Sequence, residues 1–189
     1  MFRDIFFTGK EREILVPGTI KKGKIKFVQY GAESLPFDDD SFDIVFSYGA
    51  FEHIENIEAV LDECSRVVKP DGIIYILIHL FTSLSGGHDP SWFFPETDPP
   101  ENTQPWGHLR KGTEIYKKNL DYSLNGYRLK KYREDFRRRV SVIEEYVDKE
   151  EGKSFLTENL ANELKEFSRE ELLTTFVTFA AGKKEKTKC

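Results

Sequence analysis

The chain has 189 residues, 39% hydrophobic, 14% aromatic and 32% charged, a balance that excludes wholesale disorder and fits one globular domain over residues 1–189. Its formal net charge of -5 excludes a general nucleic-acid binder, whose electrostatic footprint is basic. No apolar run of membrane-spanning length and no signal-peptide pattern occurs, and Cys64 and Cys189 make neither a disulfide framework nor a zinc spacing, so a cytoplasmic setting with no metal is expected.

Residues 1–24 form an atypical N-terminal segment, in which Ile5-Phe6-Phe7 reads as a short buried strand among Gly9, Pro17, Gly18 and Gly23. Ile25-Lys26-Phe27-Val28-Gln29-Tyr30 then has the β-branched and aromatic content of a strand, closed by Gly31. After a loop through Pro36 and Asp38-Asp39-Asp40, Phe42-Asp43-Ile44-Val45-Phe46-Ser47 predicts a strand covered on both faces. Ile57, Val60, Leu61, Cys64, Val67 and Val68 repeat at helical steps behind an Asn56 cap, and Lys69-Pro70-Asp71-Gly72 ends that helix. Ile73-Ile74-Tyr75-Ile76-Leu77-Ile78 completes a strand, helix, strand unit and so predicts a parallel sheet.

Residues 82–112 hold five of the eight prolines, Gly86-Gly87, both tryptophans and two of the four histidines. A loop of that length with aromatic content reads as a functional, substrate-side loop. A helix is expected over 114–139, a strand over 140–147, a capped helix over 157–167 and a last strand over 172–181, closed by Gly182 and the solvated Lys183-Lys184-Glu185-Lys186 run.

Open α/β sheets bind ligands beyond the carboxyl ends of their strands. The segments there read Ala32-Glu33-Ser34-Leu35-Pro36-Phe37, Ser41-Phe42-Asp43, Glu52-His53 and, at the helix end, Arg66-Val67-Val68-Lys69-Pro70-Asp71-Gly72. In this order and spacing they resemble the class I S-adenosylmethionine-dependent methyltransferases of the type 11 branch, closely over residues 25–80. The resemblance implies a Rossmann-like α/β sheet ending in an antiparallel strand, and S-adenosylmethionine as cofactor. It also implies methyl transfer to an O or N atom of a small-molecule or carbohydrate acceptor. Carried over by position, Ala32 and Glu33 flank the adenine, and Ser47, Tyr48 and Gly49 lie under the methionine part. Gly31 departs from the family, which places a polar residue there to receive the adenine amino group.

The family's glycine-rich turn and ribose-binding acid are not legible before Ile25, where Glu11 or Glu13 could be an improvised acid. The sheet is therefore expected to be N-terminally incomplete, with a hydrophobic edge covered by the N-terminus or by a second copy. A truncated, inactive methyltransferase half serving as an interaction module is the rival expectation.

Among individual residues, His88 and His53 are the candidate bases for an acceptor hydroxyl, against the plainer alternatives of a loop histidine and a hydrogen-bonded helix-start histidine. Trp92 and Trp106 offer rings to stack on a substrate, or act as packing anchors. His108 and Arg110 could bind an acidic substrate group, or close the loop as a surface pair. The basic stretch 128–139 reads foremost as a solvated helix face, and Asp38-Asp39-Asp40 as solvated acids rather than a cation site.

Overall fold

The computed structural model describes residues 29–89, 92, 103–114, 116 and 124–185. The expected strand 25–30 lies mostly outside them, as do Ile5-Phe6-Phe7, Glu11, Glu13 and four of the loop's prolines; Gln29 and Tyr30 are not in a strand.

Strand β1 (Phe42–Tyr48) leads through a 3₁₀ turn (Phe51–His53) into helix α1 (Ile57–Val67) and strand β2 (Val68–His79). Asn56 starts α1 by accepting from the Ala59 N–H at 3.1 Å, which satisfies one of the helix's orphan donors. The two strands pair in parallel, with Phe46 opposite Tyr75 and Tyr48 opposite Leu77. β2 starts at Val68, five residues before the expected Ile73, because Val68 already pairs with Phe42; the Pro70-Asp71-Gly72 corner is absorbed as a register shift.

The C-terminal half supplies helix α2 (Leu129–Arg139), strand β3 (Ser141–Glu150), short helices α3 (Glu158–Glu163) and α4 (Arg169–Leu173), and strand β4 (Thr174–Gly182). The sheet order is β1-β2-β4-β3, with β4 antiparallel to both neighbours. Several boundaries differ from expectation, among them the helix expected over 157–167, which ends at Glu163. Residues 124–128 are not helical, so α2 begins at Leu129. β3 runs to Glu150 rather than 147. Leu172 and Leu173 are helical rather than extended, since Ser168 and Glu171 form a reciprocal capping box that commits the segment to α4.

One core joins Val45, Ile74, Ile76, Ile78, Val177 and Phe179 of the sheet to Ile57, Leu61 and Cys64 of α1 and to Leu129, Tyr132 and Phe136 of α2. Both helices thus cover the same sheet face. Among the described residues the opposite face is open, with Phe46 46% and Tyr48 64% exposed, and the expected two-sided burial of β1 is not met. A second cluster beside the sheet packs Trp92, Trp106, Leu84 and Leu109 against Leu156, Leu160, Leu164, Leu172 and Leu173.

Candidate functional site

Because β1 and β2 are parallel, their carboxyl ends open onto one edge. Ser47 and Tyr48 end β1, and Gly49 turns the chain at φ +56°, a conformation that favours glycine, while its N–H donates to Leu77 O at 3.0 Å. The following 3₁₀ turn is held from a distant part of the chain. Asn125 Nδ2 donates to Phe51 O at 2.7 Å and to Ile54 O at 2.9 Å, and the Asn125 N–H donates to Glu52 O at 2.8 Å. This clamp fixes Glu52 inward, 3% exposed. Its Oε2 is buried without a hydrogen-bond partner among the described residues, and burial raises the carboxyl pKa, opposed by backbone hydrogen bonding and by His53.

β2 ends at His79, from which residues 80–88 fold back over the strand end. Ser85 donates to Glu151 Oε1, so its oxygen accepts from His79 Nε2 at 3.0 Å and a chain His79, Ser85, Glu151 results. The Ser85 N–H also donates to Glu151 Oε1 at 2.7 Å. Burial pushes the His79 imidazole down to about 3, with repulsion from His88 adding to it. That histidine is neutral and fixed.

His88 sits at φ +54°, rare for a residue with a Cβ. Its ring stacks on His79, centroids 5.1 Å apart, and meets the His53 ring edge-on at 5.1 Å. Burial lowers its pKa, as does His53. One ligand atom from each of Glu52, His53 and His88 lies within 4.8 Å of the others. The fold therefore brings together the two expected catalytic histidines and adds Glu52 and His79. Asn125, which positions the turn, carries no sequence signal, since its partners lie more than 70 residues away.

The expected cofactor residues Ser47, Tyr48 and Gly49 precede the turn that carries Glu52 and His53. Ala32 and Glu33 lie on a turn closed by Ser34 N–H to Gly31 O at 3.2 Å. That loop is tied to α1, as Glu63 accepts from the Leu35 N–H at 2.8 Å and Arg66 donates to Leu35 O at 3.0 Å and Phe37 O at 2.7 Å. Ala32 packs on the main core while Glu33 is exposed.

The substrate-side residues fall elsewhere. Trp106 is fully buried, its indole N–H donating to Leu172 O at 3.2 Å, and Trp92 shares that cluster. His108, 3% exposed, donates through Nε2 to Phe81 O at 2.7 Å, and burial pushes it down to about 4. Arg110 forms a two-pronged ion pair with Glu163 at 2.7 and 2.9 Å. In the basic stretch Arg128 pairs with Glu171, Arg133 with Glu145 and Glu170, and Arg138 and Arg139 with Glu58. Asp39 pairs with Arg66 and Asp40 with Lys183.

A parallel β-α-β unit extended by antiparallel strands, with its polar cluster at the strands' carboxyl ends, defines a Rossmann-like α/β protein. Residues 12–76 match the methyltransferase domain family, and the motifs of residues 32–72 resemble those of the class I S-adenosylmethionine-dependent methyltransferases. Similar proteins include the sterol 24-C-methyltransferase of Gibberella zeae, 39% identical over 66 residues, covering 35% of this chain and 17% of the relative. The malonyl-[acyl-carrier protein] O-methyltransferase 1 of Coxiella burnetii is 29% identical over 94 residues, 46% of this chain and 32% of the relative. The chain thus spans a third or less of the length of these relatives. Among solved structures, a chain from the complex of the Haloferax volcanii Trm112 methyltransferase activator with a methyltransferase aligns with a TM-score of 0.51 at 19% identity, over 88% of this chain and 65% of that one. Among the described residues, no helix is long and apolar enough to cross a membrane.

Proposed function

We propose that the chain transfers the methyl group of S-adenosylmethionine to an oxygen or nitrogen of a small-molecule or carbohydrate acceptor. The observation that carries this reading is the Glu52, His53, His88 group at the carboxyl ends of β1 and β2, where open α/β sheets bind their ligands. The cofactor, when bound, supplies an electrophilic methyl group on a positively charged sulfur. The residues present fit such a ligand: Gly49 carries no side chain beside the strand end, and the nearby Glu52 carboxylate is buried. A cation next to that carboxylate offsets part of its desolvation cost.

In this reading Ala32 and Glu33 flank the adenine, and Ser47, Tyr48 and Gly49 lie under the methionine end. An acceptor O–H or N–H must lose its proton on methylation, and His53 and His88 are the groups placed to assist that loss. His79 orients His88 through ring stacking, and His108 holds the intervening loop through Phe81. Most of the rate then comes from holding acceptor and donor in line.

The test is His88→Ala with S-adenosylmethionine and a panel of hydroxylated acceptors. Turnover is expected to fall by about 10²-fold or more with cofactor affinity nearly unchanged. Equal loss of both, or of neither, contradicts the assignment.

A further inference from the structure

From the same three side chains we infer a divalent-cation site: Glu52, His53 and His88 form a two-histidine, one-carboxylate set suited to zinc. Three protein ligands of this kind, leaving further positions open, are the usual donor set of a catalytic zinc site.

Two independent observations point to a cation. The candidate ligand atoms lie within 4.8 Å of one another, whereas ligands about 2.1 Å from a shared zinc stand roughly 3.4 Å apart. Closing the set therefore takes about 1 Å of side-chain movement, within reach of the exposed His53 and half-buried His88. Glu52 is 3% exposed, and its Oε2 is buried without a partner among the described residues. A buried carboxylate oxygen lacking a donor is costly unless something positive fills the gap.

The surrounding structure holds the set in place. Asn125 clamps the turn that carries Glu52 and His53, and His79 stacks on the His88 ring, the kind of support that orients metal ligands. Local sequence spacing could not show the site, because His88 lies 35 residues beyond His53 and reaches it only through the fold of residues 80–88.

The site's role in acceptor activation rests on the proposed methyl transfer, although its existence does not; with zinc bound, His53 and His88 assist proton loss as ligands instead of accepting the proton themselves. An acceptor hydroxyl occupying an open position becomes more acidic: the O–H bond breaks, the proton passes to solvent water, and the electron pair stays on the metal-bound oxygen.

The test is calorimetric titration of the chelator-stripped 189-residue chain with zinc chloride, backed by the visible absorption of a cobalt(II) complex. One equivalent is expected to bind, with affinity falling 10-fold or more in each of Glu52→Gln, His53→Ala and His88→Ala, whose folding is checked by circular dichroism. Absence of saturable binding overturns the site, and so does binding that all three substitutions leave unchanged. Titration with S-adenosylhomocysteine in parallel separates the two readings. Zinc binding without cofactor binding sustains the site while removing its catalytic role, and cofactor binding without zinc binding overturns the site alone.

Discussion

Lowering the pH should destabilise this protein through its buried histidines. His79 and His108, 7% and 3% exposed, are held neutral, burial pushing them from the ordinary 6.5 to about 3 and about 4 respectively. In the unfolded chain both protonate near 6.5, so between that value and the folded ones the unfolded state binds more protons. Stability is therefore complete above pH 6.5 and declines as pH falls toward about 4 for His108 and about 3 for His79. At pH 5 each group costs about 2 kcal/mol, from roughly 1.5 units at 1.36 kcal/mol per unit. Together they remove about 4 kcal/mol, a large share of the 5–15 kcal/mol typical of a domain. Urea unfolding followed by circular dichroism at pH 7, 6 and 5 measures the slope, and His108→Gln, which keeps a donor toward Phe81 O, should remove about half of it. A stability independent of pH over that range, or an unchanged slope in His108→Gln, refutes the reasoning.

Other substitutions probe the elements that build the site. A Cβ at Gly86 would lie 2.2 Å from Leu80 O and 2.4 Å from Phe81 O, so Gly86→Ala should cost about 3 kcal/mol or more; an unchanged urea midpoint contradicts this. Asn125→Ala removes the donors to Phe51 O and Ile54 O and the acceptor for the Tyr127 N–H at 2.9 Å. About 2–3 kcal/mol of lost stability is expected, with weakened zinc binding, and a variant as stable as the parent contradicts the clamp.

The β1-α1-β2 unit was legible in the sequence because its information is local: apolar periodicity for α1, a capping Asn56, and continuous apolar runs on either side. The insertion of β4 between β2 and β3 was not, since antiparallel pairing of Ile76 with Phe179 joins residues about a hundred positions apart. That one sheet face is open among the described residues escaped prediction for a related reason. The Phe42–Tyr48 run looks the same whether one face or two are covered, and only the placement of α1 and α2 on one side shows which.

For the site, a histidine after a strand end pointed to His53 and one in a Gly-rich loop to His88, and the family pattern pointed to the cofactor positions. That Glu52 faces inward depends on Asn125, and that His79 is fixed depends on Ser85 and Glu151. The loop tryptophans read from sequence as ring-stacking candidates lie in the second core instead. Their bulk packs with Leu84, Leu109 and the leucines of the C-terminal helices, and an aromatic residue in a proline-rich segment gives no local sign of which way it packs.

Calorimetric titration of the monodisperse chain with S-adenosylhomocysteine tests the central claim most directly. Saturable binding at micromolar affinity, weakened when a side chain is placed at Gly49, is the predicted result. A folded chain that binds none at millimolar concentration would contradict the account.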